Sequence, residues 1–126
     1  MTDNTQWIKN IEKPMLENNG ADLYCLIKLM YKEHKMNFLQ LIYDASQGIG
    51  SVISEGAEYV LDQDYDDPND FKEVSFLIGD YENSTISPQN FVELMQIISD
   101  SYIEAHPNEK DSIEFYMNKL RERYSK

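Results

Sequence analysis

The sequence predicts an α+β fold: N-terminal helices, a small antiparallel sheet in the middle, and a C-terminal antiparallel helical hairpin packed on it. Three observations carry that expectation. Apolar residues recur at helical spacing towards both ends of the chain, as in Leu23, Leu26, Ile27, Met30 and again in Phe91, Leu94, Met95, Ile98, Tyr102. Between them Val74, Phe76 and Ile78 alternate with a period of two, the mark of a half-buried strand. Glycine and proline punctuate the changes of period.

The first twenty residues are polar with scattered anchors, Trp7, Ile8, Ile11, Met15 and Leu16, and Pro14 interrupts any long helix there. Asn18-Asn19-Gly20 marks a turn. Asp22 is placed to cap a helix running to about Lys32. Cys25 falls in the apolar run 23–27, which predicts a buried thiol acting as a small hydrophobe. A second helix is expected from Asn37 to Gln47, with Phe38, Leu41, Ile42 and Ala45 on one face and Gly48 and Gly50 ending it. Residues 57–61 and 71–78 read as strands, Gly79-Asp80 and Glu82-Asn83 as a turn, and 84–86 as a short returning strand. Ser87-Pro88 is an N-cap followed by proline at the first helical position. His106-Pro107 ends that helix and starts another, in which Ile113, Tyr116, Met117, Leu120 and Tyr124 repeat the spacing. Two such helices joined by a short turn pack antiparallel and cover a sheet face.

A chain of 126 residues is the size of one domain, able to bury a core without staples, and residues 1–126 are read as a single domain. With 41% hydrophobic and 12% aromatic residues it has the composition of a folded protein. One cysteine rules out an internal disulfide and suggests a reducing compartment. The start, Met-Thr-Asp-Asn-Thr-Gln, lacks a basic region followed by an apolar stretch, and no apolar run reaches ~20 residues. These features point to the cytoplasm and away from a membrane.

The net charge is −12, from 23 acids against 11 bases, and it is unevenly placed. Between Glu55 and Glu82 ten acids face Lys72 alone, a net −9. Such a chain repels nucleic-acid phosphates and attracts basic proteins. Aromatic rings (Tyr59, Tyr65, Phe71, Tyr81) interleave with these acids, and carboxylates beside rings meet Lys and Arg through ion pairs, hydrogen bonds and cation–π contacts. The candidate partner-binding residues are therefore Glu58, Asp62, Asp64, Tyr65, Asp66, Asp67, Asp70, Glu73, Asp80, Tyr81 and Glu82. A solvated, self-repelling loop is the alternative. A calcium-responsive loop is another, since Asp62, Asp64, Asp66, Asp70 and Glu73 stand at positions 1, 3, 5, 9 and 12 of an EF-hand. That match is incomplete: Asp67 stands where the loop requires glycine, and the flanks read as strands.

Catalysis finds little support in the pattern. His34 and His106 are the only histidines; neither shares a metal-ligand spacing with the other or with Cys25, and no nucleophile-elbow, phosphate-loop or zinc-protease motif occurs. No cofactor is expected. Basic residues gather only at 32–35 and in Lys119, Arg121, Arg123 and Lys126, where they suit a helix C-terminus, so direct nucleic-acid binding is not expected.

Phe71-Lys72-Glu73-Val74-Ser75-Phe76, then Thr85-Ile86-Ser87, Phe91, Leu94, Tyr102, Pro107, Lys110 and Leu120, together with Phe38-Leu39, Gly48-Ile49-Gly50 and Glu55-Gly56-Ala57-Glu58, form a pattern that resembles immunity proteins of bacterial contact-dependent growth inhibition systems, of the type paired with ribonuclease toxins. The resemblance covers about residues 36–124 and rests on the spacing of apolar and turn residues. It implies a cytoplasmic, non-enzymatic protein that binds a basic ribonuclease toxin domain, the C-terminal part of a secreted effector, and blocks its active site or RNA surface. An inhibitor of a DNA-binding protein that mimics nucleic acid is the alternative within the same charge logic.

Overall fold

The computed structural model describes residues 6–33, 36–54, 56–79 and 84–124. These form six α-helices, α1 (Gln6–Asn10), α2 (Glu12–Glu17), α3 (Ala21–Lys32), α4 (Phe38–Ser46), α5 (Pro88–Ala105) and α6 (Lys110–Tyr124), and four strands, β1 (Ser51–Ser54), β2 (Ala57–Val60), β3 (Val74–Ile78) and β4 (Ser84–Ile86). The strands lie in sequence order in one antiparallel sheet. The α+β expectation therefore holds, with helices before the sheet and the α5–α6 pair packed on it.

The opening segment is more helical than its sequence suggests. Pro14 lies in the first turn of α2, where its missing N–H has no intrahelical partner to lose, and the chain breaks between α1 and α2 near the carbonyl its ring would crowd. Trp7, Ile8, Ile11 and Met15 are buried as expected, whereas Leu16 is exposed. Trp7 sets α1 against α5: its ring meets Tyr102 edge-on at 5.1 Å and Tyr31 at 5.4 Å, and its carbonyl accepts from the Ser101 hydroxyl at 2.9 Å.

In α3 the expected stripe of Leu23, Leu26, Ile27 and Met30 is fully buried, but Cys25 is exposed. At 3.6 residues per turn Cys25 points roughly 150° away from the centre of that stripe, so membership of an apolar run did not fix its side. The cap also differs: Gly20 precedes the helix, and Asp22 in the first turn receives the Ser84 hydroxyl of β4. Asn37 does cap α4, accepting from the Gln40 amide at 3.0 Å. Gly48, at φ 81°, closes α4 with the paired bonds of a Schellman turn, its own amide to Ala45 O and the Ile49 amide to Asp44 O.

One face of the sheet carries Ser51, Ile53, Ala57, Tyr59, Val74 and Phe76, all buried against the helices. Tyr59 lies near Phe76 and Phe91, and burial pushes its ionisation up. Its place in the core removes it from the rings expected beside the surface acids. β1 was not expected from the sequence, and β3 begins at Val74, three residues later than the run from Phe71 suggested. At the far end, Ser87 caps α5 and His106 ends it, its ring stacked on Tyr102 at 4.0 Å with Nδ1 3.1 Å from the Tyr102 carbonyl.

A Cβ at Gly48 would run into the Arg123 guanidinium and would have to occupy a left-handed conformation. Gly48→Ala should therefore lower unfolding free energy by about 1–2 kcal/mol, read as a lower urea midpoint with an unchanged slope.

Candidate partner-binding surface

The eight described candidates divide by what their side chains touch. Asp62 is turned inwards. Its Oδ2 pairs with Arg123 Nη2 at 2.7 Å, and its Oδ1 accepts from Arg123 Nε at 3.2 Å and from the Tyr124 hydroxyl at 2.6 Å. Burial acts to raise its pKa, but the hydrogen bonds from Arg123, Tyr124 and Gln63 and the arginine charge outweigh it and hold the carboxylate at about 2. The same contacts raise Arg123, while burial followed by the bond to Asp62 pushes Tyr124 well above the ordinary phenol range. Asp64 is also committed within the fold. Its Oδ2 receives the Gly50 amide at 2.7 Å and the Leu61 amide at 2.8 Å, joining the entry to β1 to the exit of β2.

Between these anchors and β3 the chain makes two 3-10 turns, Asp62–Asp64 and Pro68–Asp70. Asp67 caps the second by accepting from the Asn69 amide at 3.0 Å. Tyr65 is half-buried and edge-on to Phe71 at 6.2 Å, and Phe71 lies 5.7 Å from Tyr124. Asp66, Asp67 and Asp70 remain exposed. Glu73 is exposed and accepts from the Thr85 hydroxyl at 3.0 Å. Asp80, Tyr81 and Glu82 lie outside the described residues, as does His34.

Glu58 lies on the sheet face away from the core, in register between Val52 and Leu77. Val60, Ser75 and Thr85 form the next row of that face. This outward face, with Val52 68% exposed, continues into the acidic turns at the β2–β3 end. It was not legible beforehand because β1 was missed, and with it the neighbour that places Glu58 mid-sheet.

The carboxylate positions do not make an EF-hand. Asp62, Asp64 and Glu73 already accept bonds from other parts of the fold, and the segment is flanked by strands rather than paired helices. No group of three or more His, Cys, Asp or Glu side chains placed to hold a metal ion occurs among the described residues. What the arrangement offers is an acidic surface whose turns are tied to the rest of the fold by Asp62 and Asp64, with Glu58, Asp66, Asp67, Asp70 and Glu73 exposed or half-exposed.

Comparison with known families identifies the chain. Residues 17–117 match the family model described as CDI immunity protein, beginning further upstream than the resemblance read from the sequence. The chain belongs to this family. No curated protein and no solved structure matches it. The immunity protein thus has a toxin-neutralising role with a cognate toxin as its partner. Among its described residues no helix is long and apolar enough to cross a membrane.

The Asp62 clamp has a signed pH consequence. The folded carboxylate titrates at about 2, below the ordinary 3.8, so its contribution is complete above about pH 4 and is lost as pH falls towards 2. Asp62→Asn should cost about 1.5–3 kcal/mol near neutrality and flatten that acid limb, as measured by urea unfolding across pH 2–7.

Proposed function

We propose that this immunity protein neutralises a basic ribonuclease toxin domain by stoichiometric binding in the cytoplasm, covering the toxin's active site or RNA-binding surface. The observation that carries the reading is the concentration of charge: a net −9 within residues 55–82 of a chain whose total is −12. A domain that grips RNA presents cations to phosphates. Carboxylates held on a rigid surface meet those cations in place of RNA and exclude the substrate. Asp66, Asp67, Asp70, Glu58 and Glu73 supply this contact; Asp62, largely shielded, and Asp64, exposed but bonded to two backbone amides, fix the turns that carry them. Asp80, Tyr81 and Glu82 extend the same acidic segment in sequence. No catalytic step is assigned to the immunity protein, and no cofactor, nucleic acid or membrane enters this reading.

The experiment uses the toxin domain of the cognate effector, sought first at the C-terminus of any large secreted protein encoded by the adjacent upstream gene. Purified with this chain, it should form a one-to-one complex and lose its RNA-cleaving activity in proportion to the amount added. A toxin domain that degrades no RNA, or that stays active in excess immunity protein, removes the ribonuclease reading.

Charge reversal separates contact from scaffold. Asp66→Lys/Asp67→Lys/Asp70→Lys should lower stability by no more than the loss of the Asp67 cap, about 1 kcal/mol, and slow association by about 10-fold or more at low salt. The difference should shrink as salt shortens the screening length to roughly 8–10 Å. Asp62→Lys, by contrast, faces Arg123 and should lower the melting temperature before any effect on binding is read.

A further inference from the structure

Away from the acidic segment, helices α4 and α6 carry an aromatic face that no part of the described chain covers. Tyr43 is 43% exposed and Phe115 57% exposed, both high for large apolar side chains. Tyr116 is half-buried between them, edge-on to Tyr43 at 5.2 Å and to Phe115 at 5.5 Å. Beside the rings a shallow cavity of about 550 Å³ opens, lined also by Met36 and Leu39. We propose that this face is the apolar anchor of the toxin interface and that the acidic turns of residues 62–70 are its steering rim. The inference rests on the toxin-binding reading above and states where on the chain the lasting contact is made.

Continuity is the first argument. Both helices that carry the rings run into the acidic turns. On α6, Tyr116 and Arg123 lie on one side of the helix roughly 10 Å apart, and Arg123 is the residue that holds Asp62. On α4, the chain passes from Tyr43 to Gly48, whose carbonyl accepts from the Gln63 amide at 2.9 Å. Both helices therefore link the aromatic face to the start of the acidic turns, at Asp62 and Gln63.

Charge and ring chemistry are the second. Asp44 adjoins Tyr43, and Asp111 and Glu122 stand on the same side of α6 as Phe115, one turn before and two turns after it. The Phe115 ring already takes a cation, the Lys119 ammonium 5.1 Å from its centroid. A lysine or arginine of a basic toxin can replace that ammonium while its apolar neighbours fill the cavity. Aromatic and methionine side chains concentrate binding energy because they bring large area with few torsions to freeze. Among the described residues the outward sheet face lacks them: Val52, Val60 and Leu77 are separated by Glu58, Ser75 and Thr85.

The test measures binding kinetics between the full chain and the cognate toxin domain. Tyr43→Ala/Phe115→Ala, folded by circular dichroism, should dissociate about 30-fold faster with association changed less than about threefold. The triple lysine variant of Asp66, Asp67 and Asp70 should show the reverse partition. A double variant that dissociates at the wild-type rate overturns the anchor. Sedimentation adds another overturning result: a wild-type dimer that Tyr43→Ala/Phe115→Ala dissolves while toxin binding persists would assign the face to a second copy. If wild-type protein does not bind the toxin domain at all, the functional reading itself fails, an outcome distinct from intact binding by the double variant.

Discussion

The acidic half of this molecule is held in place by Asp62. Its carboxylate accepts from the Arg123 guanidinium twice and from the Tyr124 hydroxyl, fixing the start of the β2–β3 connection to the last turn of α6. Asp64, two residues on, fixes the same turn to the entry of β1 through the Gly50 and Leu61 amides. A connection with this density of like charge would otherwise extend into solvent. Two of its own charges are instead neutralised or hydrogen-bonded inside the fold, which lowers the repulsion and leaves a defined surface. The side chain of Arg123 also lies against Gly48, so the α4 cap, the acidic turn and the α6 terminus share one junction.

That junction bears on function because a binding surface gains from being formed beforehand. Ordering a flexible acidic loop on contact would cost conformational entropy that a pinned turn has already lost in folding. In the complex proposed above, the exposed carboxylates act on encounter, at long range and subject to salt, whereas close packing governs how long the complex lasts. Membership of the CDI immunity family gives this division a partner in the form of a cognate toxin.

Much of the architecture was readable from apolar spacing. The stripes of α3, α4, α5 and α6, the Ser87 cap and the His106–Pro107 break all fall where the pattern put them, because each depends on neighbours within a few residues. Failures occurred where a residue's role depends on a distant segment. Cys25 sits in an apolar run yet faces solvent, and Tyr59 sits among acids yet lies in the core. β1, which carries Val52 outwards and Ser51 and Ile53 inwards, needed β2 beside it before it could be recognised as a strand.

The sequence by itself determined the fold class, the concentration of negative charge between residues 55 and 82, and through both the kind of partner to consider. Composition and local period are properties of short stretches, so they survive without a structure. Only the tertiary structure decided which acids face outwards. Asp62 and Asp66 are indistinguishable along the chain, but Arg123, 61 positions after Asp62, reaches one and not the other. Long-range pairing of that kind withdraws a charge from solvent and turns a run of carboxylates into a scaffold with a surface.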